Sequence, residues 1–255
     1  MFVYLNGDLA PLEQASVSIQ DRGITLGDGV FETLYYDGNE VECLKPHYDR
    51  LMKGLALFQI PVDWVLSEFK AIIHQVLEAN GLSSQSAAIR VTCTRGVASR
   101  GIKPPLQPQP TVFVTTSPYR REARANRVGI SAYTHVMSQP LSGIKHLGYQ
   151  LALLGAIEAQ DQGLDDVLFF NAQGYLVCST VANVFIIRES KMITPPLTDG
   201  CLPGVMRAKI IQEMQRFGVP VRIDHISRHD LETASRIFLS NSLIGLQEVV
   251  LCGFS

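Results

Sequence analysis

Segments with strand character and segments with helical character follow one another along this chain without a regular β-α-β period. The chain opens with the β run at residues 2–5, followed by Asn6-Gly7, the dipeptide most typical of a tight hairpin. A second β run at residues 30–36 precedes Asp37-Gly38 and a return at residues 41–44, which predicts another hairpin. This mixed order, without an internal repeat, predicts an α+β fold rather than a doubly wound sheet.

The remaining elements follow from the periodicity of apolar residues. Helical spacing starts at His47 and resumes from Val65 to a stop at Asn80-Gly81. A loop at residues 95–110, dense in Gly, Pro and Arg, separates two β runs, and its length is typical of a loop that serves a site or is mobile. The other predicted elements are strands at 87–93, 111–116, 128–136, 166–171, 184–187, 219–223 and 236–239, and helices at 147–162 and 204–217.

Composition excludes several classes of protein. Of the 255 residues 46% are hydrophobic, which excludes a disordered chain, and 20 Gly with 13 Pro are too few for a collagen-like one. The formal charge of -2 supplies no basic field for nucleic acid or an anionic membrane, so we expect a small-molecule partner. Polar residues interrupt the longest apolar stretch, 237–254, and no secretory signal is visible at the start, so we expect a soluble protein.

The cysteines indicate a reducing compartment. Their number is odd, and they are scattered without a Cys-x-x-Cys pair or a Cys/His spacing typical of metal ligands. We therefore expect reduced thiols, a cytoplasmic location and no metal. The five are Cys43, Cys93, Cys178, Cys201 and Cys252.

One break in composition divides the chain. Ser117-Pro118 is followed by a charged stretch that resembles neither a strand nor a helix. Domain boundaries fall in such polar segments. We predict an N-terminal α+β domain at residues 1–118, a linker at 119–125 and a C-terminal α+β domain at 126–255.

Lys145 is the lysine with the most apolar setting, within Gly143-Ile-Lys-His-Leu147. A desolvated ammonium loses its proton more easily, as a lysine that bonds to a carbonyl group must do. Local sequence alone favours the simpler explanation, a lysine that extends its charge from a strand end into solvent. Position alone leaves both interpretations open.

Three segments suit an anion. Leu202-Pro-Gly-Val-Met-Arg207 places Pro and Gly before an apolar-periodic helix whose first amides could hold a phosphate. Ser240–Gly245 offers hydroxyls and amides in a turn, and Arg50 lies in His47-Tyr-Asp-Arg-Leu51. Each feature also has an ordinary structural explanation.

The stretch Asp21–Thr33 is the most distinctive, with three glycines and two aspartates just before a strand, and by itself it predicts a tight turn. Together with motifs further along, it makes the chain resemble the fold-type IV enzymes that use pyridoxal 5′-phosphate: branched-chain aminotransferases, D-amino-acid aminotransferases and aminodeoxychorismate lyases. The resemblance runs nearly end to end. Its further motifs are, in order, His47–Leu51, Thr94–Gly96, Ser99–Gly101, Ile144–Leu147, Gly174-Tyr175, Ala182–Phe185, Leu202–Arg207 and Phe238–Val249.

The resemblance implies a two-domain fold like that of D-amino-acid aminotransferase, a homodimer, and a role for each of several residues. Lys145 is expected to form the Schiff base and to move the substrate proton. Tyr149 is expected to contact the ring oxygen of the cofactor, although Gly148 replaces the usual Asn. The expected ligands of the cofactor phosphate are Arg50, the amides of Val205 and Met206, and the hydroxyl of Ser242.

One departure from the family bears on the reaction. Relatives have Thr-Glu where this chain has Val177-Cys178, and that Glu keeps the pyridine nitrogen protonated. A thiol cannot do so unless it is ionised. The motif at Ile144–Leu147 is most like that of the lyases, which convert 4-amino-4-deoxychorismate into 4-aminobenzoate and pyruvate for folate synthesis.

We therefore predict a lyase, with an aminotransferase of branched-chain or D-amino acids second and a degenerate, non-catalytic member last. Aromatisation of the product supports the first, because it makes a weaker electron sink sufficient. Arg100 and Arg95 are the candidates for the substrate carboxylates, since a guanidinium matches a carboxylate geometrically.

Overall fold

The computed structural model describes residues 1–122 and 126–253. The chain forms two compact units. Unit 1 comprises Met1–Arg120 and the short segment Ile144–Gly148, and unit 2 comprises the described residues of Arg121–Gly143 and Tyr149–Ser255. Residues 123–125 of the predicted linker lie outside the described residues.

Unit 1 is built on a five-stranded antiparallel sheet in the order β2-β1-β5-β4-β3. The first hairpin is confirmed: Asn6 and Gly7 have φ angles of 49° and 111°, which such a turn requires. The elements are β1 (Phe2–Leu5), β2 (Asp8–Pro11), α1 (Arg22–Leu26), β3 (Gly29–Tyr36), α2 (Leu44–Phe58), α3 (Leu66–Ala79), β4 (Ala87–Thr94) and β5 (Thr111–Pro118).

The second predicted hairpin forms only in part. Val41 makes an isolated antiparallel bridge to Tyr36, and the amide of Glu42 donates to the Tyr35 carbonyl (2.9 Å), before the chain enters α2 at Leu44. Pro46 lies in the first turn of that helix, where its missing N–H costs nothing. β3 pairs instead with β4 over its full length, which buries most of its side chains on both faces. Long-range burial therefore determines the partner of β3 rather than the nearest turn signal.

Unit 2 is built on an eight-stranded mixed sheet in the order β11-β10-β9-β12-β13-β6-β7-β8. Within the described residues, the sheet combines parallel pairs (β10–β11, β13–β6, β6–β7) with antiparallel ones, which confirms α+β architecture. The elements are β6 (Asn126–His135), α4 (Gln150–Asp161), β7 (Asp166–Asn171), β8 (Leu176–Ser179), β9 (Asn183–Arg188), β10 (Lys191–Thr194), α5 (Val205–Arg216), β11 (Val221–Ile223), α6 (Arg228–Glu232), β12 (Arg236–Asn241) and β13 (Gly245–Leu251).

Three strands escaped the sequence analysis. β8 and β10 have four residues each, too few to show a periodic pattern, and β13 lies in the apolar stretch 237–254, of which only the beginning was predicted as a strand. The helix predicted from residue 147 begins at Gln150, because the residues before it extend along β3. No helix among the described residues has both the length and the apolar character needed to cross a bilayer.

Candidate active site

The segment that carries Lys145 is fixed to the edge of the unit 1 sheet. The amide of Phe31 donates to the Lys145 carbonyl (2.9 Å), and that of Leu147 donates to the Gly29 carbonyl (3.0 Å). A Cβ at Gly29 would lie 2.6 Å from the Cys93 carbonyl oxygen, so this signature glycine allows the close approach of the backbones. Lys145 is thereby held at a defined position beside β3.

The Lys145 amine lies in a low-dielectric setting among charged groups. Its Nζ is 4.4 Å from the centroid of the Phe31 ring. Burial lowers the pKa of Lys145 to about 8, with the cations of Arg50 and Arg90 adding to the shift and the Glu32 carboxylate opposing it. About a tenth of such an amine is neutral at pH 7, against roughly one in several thousand for an ordinary lysine. This supports the chemical interpretation of the Lys145 motif over a solvent-exposed charge.

Arg50 is held by a carboxylate that the sequence analysis missed. Glu32 on β3 is fully buried and accepts from Arg50 Nε (2.7 Å) and Nη2 (2.8 Å). The ring Nδ1 of His47 lies 2.7 Å from the same carboxylate. Burial raises the pKa of Glu32, but the hydrogen bonds and charges of Arg50 and His47 outweigh it and hold that pKa at about 2. The signal that could have identified Glu32 is a charged residue within a strand whose side chains are buried on both faces.

The two aspartates of the Asp21–Thr33 stretch organise the long loop. Asp21 accepts from the amide of Gly23 as expected for a tight turn, and from the hydroxyls of Thr94 and Thr111. Buried Arg22 pairs with Asp28 (2.7 Å) and donates to the carbonyls of Gly101 and Ile102 (2.9 Å each). The loop at 95–110 is thus tied to the turn by its backbone.

The structure uses Arg95 differently from our expectation. Its guanidinium is buried, pairs with Asp28 through Nε (2.7 Å) and Nη2 (3.0 Å), and also donates to the Phe58 carbonyl (2.6 Å). We therefore assign Arg95 to the stability of the fold. Arg100 is exposed on the same loop and remains the candidate for a substrate carboxylate.

Arg90 is a second charged residue, after Glu32, that sequence reasoning missed. It is exposed on β4, and its guanidinium carbon lies 3.8 Å from the centroid of Phe31, the ring that Lys145 also approaches. Arg90 is the charged residue in an otherwise uncharged strand, which is the signal that could have identified it. It is a further candidate for binding a carboxylate of the substrate.

In unit 2, the start of α5 presents backbone amides to an anion. Its N-cap is Gly204, which has no side chain to satisfy the amides of Val205 and Met206. The side-chain amide of Asn183 on β9 donates to the Leu202 carbonyl (2.9 Å). Its Oδ1 lies where the Cβ of any larger residue at position 204 would be. A larger residue at position 204 would have to displace the Asn183 side chain, so the loop lies close to the sheet at the helix start.

The turn between β12 and β13 adds hydroxyls to unit 2. Ser240, on the strand paired with Asn183, is buried, and its Oγ has no hydrogen-bond partner within the described residues. The turn itself follows two residues after Ser240. Arg121 donates to the carbonyls of Ser242 (2.6 Å) and Leu243 (2.8 Å) and so fixes that turn. Ser240 is paired with Asn183, the residue that contacts the loop before α5. The buried hydroxyl of Ser240 and the uncapped amides at the start of α5 are both donors of the kind that bind a phosphate.

Cys178 and Tyr149 also lie in unit 2. Cys178 on β8 is opposite Phe169 of β7. Burial raises the pKa of the Cys178 thiol well above its usual range, and Cys201 and Asp166 add to the effect, so the thiol is neutral at pH 7. Tyr149 is half-buried and is the N-cap of α4.

The comparisons agree with this architecture. The sequence pattern of the family "Amino-transferase class IV" matches residues 29–252, and the chain belongs to that family. A Methanocaldococcus jannaschii protein provisionally named a branched-chain-amino-acid aminotransferase is 30% identical, over 95% of this chain and 84% of its own length. The aminodeoxychorismate lyase of Vibrio harveyi is 28% identical, over 93% and 88%. The crystal structure of the branched-chain aminotransferase from Thermoproteus uzoniensis with norvaline is 26% identical, covers 99% of this chain and 88% of its own, and has a TM-score of 0.89.

The fold is therefore fold type IV, and the cofactor is pyridoxal 5′-phosphate, as the resemblance implied. The residues present fit it. Unit 1 offers an amine of lowered pKa at Lys145, and unit 2 offers uncapped amides at Val205 and Met206 with a buried, unpartnered hydroxyl at Ser240. An amine for the aldehyde and donors for a phosphate are the groups that this cofactor needs.

Proposed function

We propose that the protein is a 4-amino-4-deoxychorismate lyase that produces 4-aminobenzoate and pyruvate, and so acts in folate synthesis. The observation that carries this proposal is the neutral thiol of Cys178 where relatives have a glutamate. Transamination requires a carbanion in each of two half-reactions and depends on a protonated ring nitrogen. Loss of pyruvate from the substrate forms an aromatic ring, which supplies driving force that transamination lacks.

When bound, the cofactor withdraws electrons from the carbon that carries the substrate amine. The side chain of Lys145 would remove the proton from that carbon, the bond between the substrate ring and its ether oxygen would break, and the departing enol would become pyruvate on gaining that proton from Lys145. Atoms balance without a second substrate. Lys145 suits this role because its pKa of about 8 lets it gain and lose a proton near neutral pH. Arg90 and Arg100 are exposed cations suited to the two carboxylates of the substrate.

The second candidate is an aminotransferase of branched-chain or D-amino acids. The similarity to the Methanocaldococcus jannaschii and Thermoproteus uzoniensis proteins favours branched-chain substrates. A degenerate, non-catalytic member is the least supported, because Lys145 keeps an amine of lowered pKa.

A single assay separates the lyase from the aminotransferase. Purified enzyme with saturating pyridoxal 5′-phosphate is expected to release 4-aminobenzoate from 4-amino-4-deoxychorismate without any 2-oxo acid. Fluorescence of the product measures the rate. The alternative predicts amino transfer from leucine or D-alanine that depends entirely on added 2-oxoglutarate. That dependence, without release of 4-aminobenzoate, would overturn the lyase proposal.

Arg50→Ala is expected to weaken binding of pyridoxal 5′-phosphate by roughly tenfold to a hundredfold, since a charge-assisted contact contributes about 1.5–3 kcal/mol. Equilibrium dialysis measures the affinity, and pyridoxal, which lacks the phosphate, is the matched control ligand. Because the single variant strands the Glu32 carboxylate, Arg50→Ala with Glu32→Gln is measured beside it. Equal losses for both ligands, or no loss, would remove Arg50 from the phosphate site.

We also propose a homodimer in the cytoplasm. Leu153, Leu154 and Ile157 of α4 are 61%, 43% and 55% exposed, an apolar surface that a second copy of the chain would cover. The free cysteines within the described residues suit a reducing compartment. Light scattering is expected to give twice the mass of the chain.

A further inference from the structure

Glu32 is a buried carboxylate to which the proposed reaction assigns no role. Its two oxygens accept three hydrogen bonds, two from Arg50 and one from His47, at 2.7–2.8 Å. Both partners lie on α2, three residues apart and therefore on one face of the helix. An ionised carboxylate can only accept, so Nδ1 of His47 carries the proton that it donates.

The same strand also holds the catalytic segment. Phe31, adjacent to Glu32, binds the Lys145 carbonyl, and Val30 is bridged to His146. Glu32 is therefore the next residue in the chain after Phe31, which positions Lys145. Glu32 and Lys145 lie close enough that the charge of one acts on the other.

The charged groups that act on the Lys145 amine come from three elements. Arg50 belongs to α2, Arg90 to β4, and Glu32 to β3. His146, on the segment of Lys145 itself, accepts from the Gly148 amide through Nδ1 (3.0 Å), and burial lowers the pKa of its ring, so it is neutral. Glu32 is the carboxylate of this set, and it is paired with the guanidinium of Arg50.

We propose that Glu32 is a positioning residue of the active site: it fixes the Arg50 guanidinium and supplies the negative charge that balances Arg50 and Arg90 around the Lys145 amine. This inference rests on the proposed role of Lys145 in the reaction. Without the carboxylate, two cations would act on the amine unopposed, and a larger share of Lys145 would be deprotonated at pH 7.

The test measures Lys145 directly, without turnover. The full chain, freed of cofactor, is labelled with a trace of acetic anhydride at a series of pH values, and mass spectrometry of the Lys145 peptide gives the fraction acetylated. Glu32→Gln is expected to shift the pH midpoint of Lys145 labelling downward. A shift of about one unit raises the rate at pH 7 about fivefold. Glu40→Gln, at an exposed carboxylate, is the matched control and should leave the midpoint unchanged.

Two further variants separate charge from structure. Glu32→Asp keeps the charge and is expected to restore most of the native midpoint. Glu32→Gln combined with Arg50→Gln removes one charge of each sign, so its midpoint should return towards that of the native chain. If the single variant folds poorly because Arg50 is left without its carboxylate, the double variant removes that unpaired charge as well. An unchanged midpoint in Glu32→Gln, or equal shifts in the single and double variants, would overturn the proposal. Because labelling needs no cofactor, the result is independent of whether the lyase assay succeeds.

Discussion

Lys145→Ala is expected to lower turnover by on the order of 10²–10⁴-fold, the range for a lost general base, and to abolish covalent attachment of the cofactor. The amine of lowered pKa beside Phe31 is the reason for this assignment. Borohydride reduction of the native enzyme followed by peptide mapping should place the pyridoxyl group on Lys145. Steady-state release of product measures the turnover of the variant.

Lys53→Ala is the matched control, because Lys53 is exposed on α2 of the same unit. It should keep native turnover and native labelling. A pyridoxyl group on any other lysine, or on none, would contradict the assignment of Lys145. So would a Lys145→Ala variant that retains turnover when folded and saturated with cofactor.

Local signals in the sequence located the lysine that we propose as catalytic but not its surroundings. The Lys145 motif, the Asn6-Gly7 turn and the Pro-Gly entry to α5 each depend on neighbouring residues, and a single sequence displays those. The ion pair between Glu32 and Arg50 joins residues 18 apart through a strand and a helix. No local pattern reports such a pair, because it exists only once the elements have packed.

Arg95 illustrates the opposite error. A guanidinium in a glycine-rich loop suggested a ligand for a carboxylate, and it does bind one, but the carboxylate is that of Asp28. The sequence identified the chemistry of the side chain and not its partner. Arg90 was overlooked for a related reason, since its proximity to Lys145 arises from the pairing of β3 with β4, 50 residues or more along the chain.

Cys178→Glu is expected to raise the ratio of transamination to lyase turnover by on the order of a hundredfold. An opposite charge nearby shifts a pKa by about 1–3 units, so a carboxylate at this position should protonate the ring nitrogen of the cofactor far more completely. Amino transfer needs that proton in both half-reactions and should accelerate. Lyase turnover should change less, because formation of the aromatic ring also drives it.

The comparison requires a control of equal size. Cys178→Gln introduces the same volume without a charge, so any effect of crowding on β8 appears in both variants and cancels in the ratio. Buried Asp166 lies near enough to raise the pKa of Cys178 and would oppose ionisation of a new carboxylate in the same way. Nuclear magnetic resonance of cofactor labelled with ¹⁵N at the ring nitrogen therefore accompanies the kinetics, because it shows directly whether the glutamate has protonated the ring.

Three results are then distinguishable. A protonated ring with an increased ratio identifies Cys178 as the determinant of reaction type. A protonated ring with a flat ratio, in a folded and fully loaded enzyme, would show that the charge at this position does not select the reaction, and the preference for a lyase would rest on the motif around Lys145 alone. An unprotonated ring in both variants would show that a carboxyl group at position 178 does not protonate the ring nitrogen, either because it does not reach that nitrogen or because Asp166 keeps it neutral, and the preference for a lyase would then rest on the motif around Lys145 alone.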